Sequence, residues 1–377
     1  MSNIFSRILG SLSGAFSRQP TGSVVAIDFG ASSVKAIQLR RERGRVLLET
    51  YGELATGPYV GMAVGQAVNL GVDKMAEVLI DLLREANVTA TTGIISIPLR
   101  SSLLITVQIP AMSGVDLASA VPNEARRFIP VPISEVTLDW WLIPERQDES
   151  PAYDQKIPGK AKTNEVLIAA IHRDTFNLYQ DLAKRLSLNV DTYEIETFSL
   201  IRSVLANDLS ATAIVDFGAG TTKVAIVDYG VVRLSHTINR GAQDISLALS
   251  RSLAVSFDKA EEIKRQVGLV EEVSEQGEVK NIIDPIVEYI FEEIRRVMVD
   301  YQKKHQVAID KVILLGGGSQ LRGLPELAAK ALEVKVEAGT PFDRMETPAF
   351  LDTVLKQAGP SFAVAIGLAL RKLENLS

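Results

Sequence analysis

VAIDFGASSVKAIQL (residues 25–39) and AIVDFGAGTTKVAIVD (residues 213–228) are two copies of one local plan. Each is an apolar, β-branched run that ends in Asp-Phe-Gly, turns through small hydroxyl residues and resumes as a second apolar run, the pattern of a hairpin. In both copies a lysine follows the aspartate by seven positions, Lys35 after Asp28 and Lys223 after Asp216. Such an internal repeat predicts two related lobes whose turns lie on opposite walls of one cleft.

The residue types at these turns suit phosphate. Backbone N–H groups must be free of side-chain obstruction, which glycine provides at Gly30 in the first turn and at Gly218 and Gly220 in the second. Ser32, Ser33, Thr221 and Thr222 can add hydroxyl donors, and Lys35 is a point charge placed for a β- or γ-phosphate. Asp28 and Asp216 precede the turns, where carboxylates can hold the waters of a hydrated Mg²⁺. One such turn would be an ordinary hairpin; two in register point to ATP with Mg²⁺.

A third piece is VILLGGGSQLRGLPEL at residues 312–327. A buried strand runs into Gly316, Gly317 and Gly318, and a helix starts near Leu324-Pro325, where proline is tolerated in the first turn. A loop of this kind lets backbone approach a flat adenine or an α-phosphate. Two other motifs fail. His172-Arg173-Asp174 with DFG suggests a protein kinase, but Tyr179 stands where its asparagine is needed and no glycine-rich loop with a VAIK-type strand precedes it. No GxGxxG links a strand to a helix, which excludes a dinucleotide-binding turn.

Bulk properties set the frame. The 377 residues exceed one small core, and the 46% hydrophobic and 23% charged shares are those of a globular protein. A net charge of −6 offers no global field for nucleic acid. Cysteine is absent, which excludes disulfides and thiolate zinc sites and suits a reducing cytoplasm. Three scattered histidines argue against a histidine-built metal centre. No stretch reads as the run of about 20 apolar residues that spans a bilayer.

Between the repeats the chain changes character. Strands at 103–109, 137–143 and 165–171 and helices at 116–128 and 174–186 form a compact unit, with a polar loop at 145–164. The resulting division is an amphipathic segment at 1–20, a first-lobe core at 21–100 and 191–210, and an inserted subdomain at 101–190. The second lobe has a core at 211–240 and 310–377 and a helical subdomain at 241–309. In the N-terminal segment Ile4, Phe5, Ile8, Leu9, Leu12 and Phe16 share one helical face opposite Arg7 and Arg18. Two readings stand: an interfacial anchor on an anionic inner membrane, or a helix that packs on the protein or frays at Gly10 and Gly14.

Taken in order, these motifs resemble the actin-like ATPase superfamily, which includes actin, FtsA, MreB, heat-shock chaperone ATPase domains and sugar kinases. The resemblance covers nearly the whole chain. It implies an α/β fold of two ribonuclease-H-like lobes, with a connecting helix near 191–205 and a closing helix at 359–370. It also makes AEEIK (260–264) the ribose-contacting helix, with Glu261 and Lys264 as contacts. Glu196 is implied as the carboxylate that orients attacking water, with Glu194 as the alternative.

The inserted segment IPAMSGVDLASAVPNEARRFIPVPISEVTLDWWLI (109–143) narrows the likeness. Ile109-Pro110, Glu124 with Phe128-Ile129-Pro130, and Asp139-Trp140-Trp141 resemble the PilM family of type IV pilus assembly proteins, whose insertion is SHS2-like as in FtsA. That likeness implies a cytoplasmic protein at the inner face of the membrane. Its partner would be the N-terminal peptide of a PilN-like inner-membrane protein, in a groove near 93–110 and 120–143. Other pilus inner-membrane components and self-association fit the same likeness, and nucleotide would act as a conformational switch with slow hydrolysis at most. Strand alternation at Trp140 and Trp141 would bury one ring and expose the other. The rival is an FtsA-like filament protein, which usually carries a C-terminal membrane helix; here GLALRKLENLS follows the closing helix directly.

Overall fold

The computed structural model describes residues 22–112, 114–144, 163–206, 208–270 and 274–376. The expectations for residues 4–16 and for the loop at 145–162 lie outside the described residues.

The first repeat folds as β1 (Ser23–Phe29), β2 (Ser33–Glu42) and β3 (Arg45–Ala55), an antiparallel meander. A helix, α1 (Val72–Glu85), returns the chain to β4 (Thr92–Ile97), which lies parallel to β1. The chain then leaves for the insertion: β5 (Ser102–Pro110), α2 (Gly114–Ala125), β6 (Val136–Leu142) and β7 (Thr163–His172). These form a separate antiparallel sheet in the order β5-β7-β6. α3 (Arg173–Arg185), β8 (Asn189–Ile195) and α4 (Glu196–Val204) complete the first lobe, whose sheet runs β3-β2-β1-β4-β8.

The second lobe repeats this topology. β9 (Thr212–Phe217), β10 (Thr222–Asp228) and β11 (Val231–Ile238) form its meander. Three helices follow, α5 (Ala242–Ser252), α6 (Phe257–Val267) and α7 (Ser274–His305). β12 (Lys311–Leu315), α8 (Leu324–Leu332) and β13 (Lys335–Ala338) then close a sheet in the order β11-β10-β9-β12-β13. The chain ends in α9 (Asp352–Asn375).

Both sheets are covered on both faces, which is why their central strands read as unbroken apolar runs. On β1, Val25 and Ile27 pack with Val78, Leu79 and Leu82 of α1, while Val24 and Ala26 face α9. On the second sheet Ile214 and Ile313 face the same helix, and Ala213, Val215 and Val312 face α7 and α8. α4 and α9 therefore lie between the two sheets, and α9 belongs to both lobes rather than to the second alone.

Three boundaries differ from the sequence reading. Residues 191–205 are not one helix: β8 runs to Ile195 and α4 starts at Glu196. α2 stops at Ala125, leaving Phe128 exposed beyond it. α9 begins at Asp352 and continues through Pro360. Residues 349–375 are also long and apolar enough to cross a bilayer, contrary to the composition reading. Most of that apolar surface is buried between the sheets, as in the core helix of a globular domain.

The tightest contact of this centre is Gly367 of α9 against α4, where a Cβ would collide with the Ser199 carbonyl oxygen. Gly367→Val should destabilise the protein by about 1–3 kcal/mol or more through overpacking of backbone against side chain. Gly22→Ala, whose Cβ meets open space, should leave the thermal midpoint unchanged. Paired thermal melts test the contrast.

Candidate functional site

Strand register creates the site. Asp28 pairs with Lys35 across β1–β2, and Asp216 pairs with Lys223 across β9–β10, so each turn carries one acid and one base at its neck. The two turns meet across a cleft of about 480 Å³, within the usual range for ligand sites of roughly 300–1,000 Å³. From the first lobe Asp28, Gly30, Ser32, Ser33, Lys35 and Glu196 line it. From the second come Asp216, Gly218, Gly220, Thr221, Glu261 and Lys264, with Gly316, Gly317 and Gly318 closing one end.

Two of the hydroxyls named from the sequence have no donor left for phosphate: Ser33 donates to Glu53 Oε1 at 2.6 Å, and Thr222 is turned away. Thr222 is fully buried and its hydroxyl donates to the Arg240 carbonyl 2.9 Å away, so it has no free donor for a phosphate. The period-two alternation of β10 explains this, because Lys223 takes the cleft-facing place. Glu194, the alternative to Glu196, is also excluded from the cleft. Both its oxygens accept from Arg202, at 2.7 and 3.1 Å, and it lies beneath α9. The strand-to-helix junction falls between Glu194 and Glu196 and re-aims the second carboxylate.

The backbone of the third loop is fitted to its neighbours. Gly316 has φ +81°, and a Cβ there would collide with Asp216 Oδ1. Its N–H donates to the Pro360 carbonyl at 2.8 Å, which ties the loop to α9. Gly317 has open space where a side chain would go, leaving its backbone accessible to the cleft.

The polar groups form three clusters. Lys35 Nζ donates to Ser33 Oγ at 2.8 Å, and Ser33 Oγ donates to Glu53 Oε1 at 2.6 Å. Glu261 accepts from Ser246 Oγ and Lys264 Nζ, each at 2.6 Å, and from Arg265 Nε at 2.9 Å. Lys223 Nζ donates to Glu196 Oε2 at 2.6 Å and to Asp216 Oδ2 at 3.1 Å. Asp28 accepts from Ser96 Oγ at 2.9 Å and makes no ion pair among the described residues.

Burial pushes the Asp28 carboxyl up to about 6, against the pull of Lys35 and Lys223 and with help from Glu196. Burial also lowers the Lys264 ammonium, despite its bond to Glu261. For Lys223 burial opposes the charge, but Glu196 and Asp216 outweigh it and hold the ammonium above the usual lysine range. A buried carboxyl raised in this way is a mark of functional sites.

Several lining residues carry no sequence signal. Glu53, Gly65, Gln243 and Arg265 reach the cleft from outside the three quoted motifs, and Gln320 reaches it from within the three-glycine loop. Gln243 closes the mouth: its Oε1 accepts from the Ala67 N–H at 2.9 Å, joining α5 to the loop between β3 and α1. Lys223 was visible as part of the repeat, but its partners were not.

Residues 26–373 match the family described as type IV pilus assembly protein PilM. The chain belongs to that family. A chain of a PilM–PilN type IV pilus biogenesis complex superposes with a TM-score of 0.77 at 23% identity, covering 94% of this chain and 99% of that one. MreB5 of Spiroplasma citri bound to AMPPNP superposes at 0.53 with 10% identity over 93% and 96% of the two chains. The fold is thus the actin-like ATPase fold. Among curated sequences, cell division protein FtsA of Neisseria meningitidis is 29% identical over 220 residues, 52% of each chain. This chain therefore spans about half the length of that relative.

The Asp28 shift has a measurable sign. Between 3.8 and about 6 the folded state binds more protons than the unfolded one, so stability falls as pH rises through that window. The full cost of ionised Asp28 above it is on the order of 3 kcal/mol. Asp28→Asn without nucleotide should melt higher than the parent protein near neutral pH, and the gap should shrink as pH falls through about 6 and vanish only below 3.8. Melts across pH check it; a gap independent of pH would rule out Asp28 as its source.

Proposed function

We propose that this PilM-family protein is an ATP-binding platform of type IV pilus assembly. On this reading it sits at the inner face of the cytoplasmic membrane and binds the cytoplasmic N-terminal peptide of a PilN-like protein. The observation that carries the nucleotide part is the pair of DFG turns facing one cleft beside a three-glycine loop. The turns around Gly30 and Gly218 supply backbone donors to phosphates, Lys35 adds a charge, and the loop at Gly317 accommodates adenosine. On this reading Glu261 and Lys264, paired with each other at 2.6 Å, contact the ribose.

For Mg²⁺ the fit is one-sided. Asp28 is buried, has no ion pair among the described residues and is raised in pKa, a carboxylate that a hydrated ion would relieve. Asp216 already has Lys223. Among the described residues no group of three or more acidic or histidine side chains could hold a metal alone, so an ion here would keep waters and phosphate oxygens. Bound Mg²⁺ would offset charge on the β- and γ-phosphates.

The link between cleft and partner groove runs through β4. Ser96 on β4 donates to Asp28 and accepts from the Phe29 N–H at 3.2 Å. Three residues on, the Leu99 N–H donates to Glu196 Oε1 at 2.5 Å, and β5 of the insertion follows at Ser102. The insertion also reaches the other lobe. Arg233 of β11 donates to Glu165 of β7 at 2.6 Å, and Thr106 of β5 donates to the Arg233 carbonyl at 2.9 Å. A movement between the lobes must therefore move or strain the insertion, which gives nucleotide a physical handle on the peptide site. Trp140 and Trp141 are both half-buried, one on the insertion's own core and one on the first-lobe core. Among the described residues of the insertion, the exposed large apolar side chains are instead Phe128 and Leu142.

Calorimetric titration with a PilN-type N-terminal peptide, with and without Mg-ATP, tests the reading. Saturable binding whose affinity shifts with nucleotide supports it. Arg233→Met should keep ATP binding but lose most of that shift. Tight ATP binding without peptide binding would favour a filament-forming role like that of the FtsA relatives.

A further inference from the structure

We propose that Glu53 is a specificity-determining carboxylate of the cleft: it occupies the donors of the first phosphate turn and so disfavours a free polyphosphate more strongly than a cation-loaded one. The inference rests on the nucleotide reading above and names the charge state of the ligand that this site takes.

Glu53 comes from β3, whose register sets it opposite Lys35 of β2. It lies outside the three quoted motifs, yet its side chain lines the cleft. Its Oε1 accepts from Ser33 Oγ at 2.6 Å and stands 3.3 Å from Lys35 Nζ. Lys35 Nζ donates in turn to Ser33 Oγ at 2.8 Å, which closes a ring of three polar groups. That ammonium belongs to the turn itself, 3.6 Å from where a Cβ on Gly30 would stand. Burial opposes the Glu53 charge, but the Lys35 ammonium and the Ser33 hydroxyl outweigh it and hold the carboxyl below its usual range. Glu53 is therefore an anion at neutral pH, seated on the hydroxyl and ammonium that a phosphate oxygen would use.

Held by these contacts and by strand register, the carboxylate stays beside an entering phosphate. The two anions then share one ammonium and repel each other across the turn. The rest of the cleft does not compensate, since its lining residues include five carboxylates and four cations. The repulsion scales with the charge of the ligand. A metal-free triphosphate carries about −4 and its magnesium complex about −2, so the bound ion roughly halves the energy. In the second lobe β11 sets the uncharged Thr237 opposite Lys223, so the discrimination resides in the first lobe alone.

The test is calorimetric titration of the full chain with ATP and, separately, with inorganic tripolyphosphate, each in EDTA and in excess Mg²⁺. The proteins are the parent, Glu53→Gln, Glu53→Ala and Glu53→Asp. Glu53→Gln and Glu53→Ala should bind either ligand about tenfold more tightly than the parent in EDTA and only about threefold more tightly in Mg²⁺, as the halved charge requires. Glu53→Asp keeps the charge and should stay within about threefold of the parent in both. Damage to the fold would weaken binding, whereas the expected change is a gain. ATP binding that is unchanged in Glu53→Gln, or strengthened equally in EDTA and Mg²⁺, overturns the proposal and leaves the nucleotide reading standing. The expected pattern for tripolyphosphate, without ATP binding by any variant, defeats the nucleotide reading alone. No binding of either ligand by any variant defeats both.

Discussion

Each sheet turns one apolar face towards α4 and α9, which fill the space between the two sheets. The fit is set by backbone contact at Gly367 and Ser199, closer than any side chain allows. Around it Phe362, Ala365, Ile366 and Ala369 are buried against both sheets. Polar stitches fix the register of the pair. Arg202 of α4 donates to Glu194 and to the Gly367 carbonyl at 3.0 Å, and Lys372 of α9 pairs with Asp191. Buried ion pairs contribute little net stability, but breaking one leaves an isolated charge, so they restrict how the helices can slide.

That restriction shapes the cleft. Glu196 is the first residue of α4, and the Gly316 N–H is bonded to α9 at Pro360, so one floor residue and one wall loop hang on the same helix pair. A shift between the lobes moves or strains these helices, the Gln243–Ala67 contact at the mouth and the insertion, which is fastened to β4 on one side and to β11 on the other. Arg233 is almost fully buried, so its pairing with Glu165 escapes the screening that makes surface pairs weak. The insertion is thus a further connection between the lobes.

Repetition made the fold and most of the cleft legible. Asp28, Gly30, Asp216 and Gly218 could be placed because turn chemistry is local and the two copies agree. What could not be read depended on contacts between distant segments. Thr222 and Thr221 are equivalent in composition, and only strand alternation set by the observed register separates them. Glu194 and Glu196 differ by the position of a strand-to-helix junction, a boundary that local propensity fixes poorly. Gln243 and Glu53 reach the site from a helix and a strand whose sequences carry no glycine or hydroxyl pattern. α9 was assigned to one lobe because sequence order says nothing about which sheets a buried helix contacts.

The divergence of the two lysines follows from their surroundings rather than from the repeat. In the first lobe Glu53 stands on β3, whose register with β2 sets it opposite Lys35, and it draws the ammonium sideways. In the second lobe β11 offers Thr237 opposite Lys223, with no carboxylate to compete. The ammonium of Lys223 therefore turns to Glu196 and Asp216, crossing from one lobe to the other. A single difference in the neighbouring strand, an acid in one copy and a threonine in the other, thus decides where each lysine places its charge. It leaves Asp28 without an ion pair among the described residues and pairs Asp216 with the chain's own lysine.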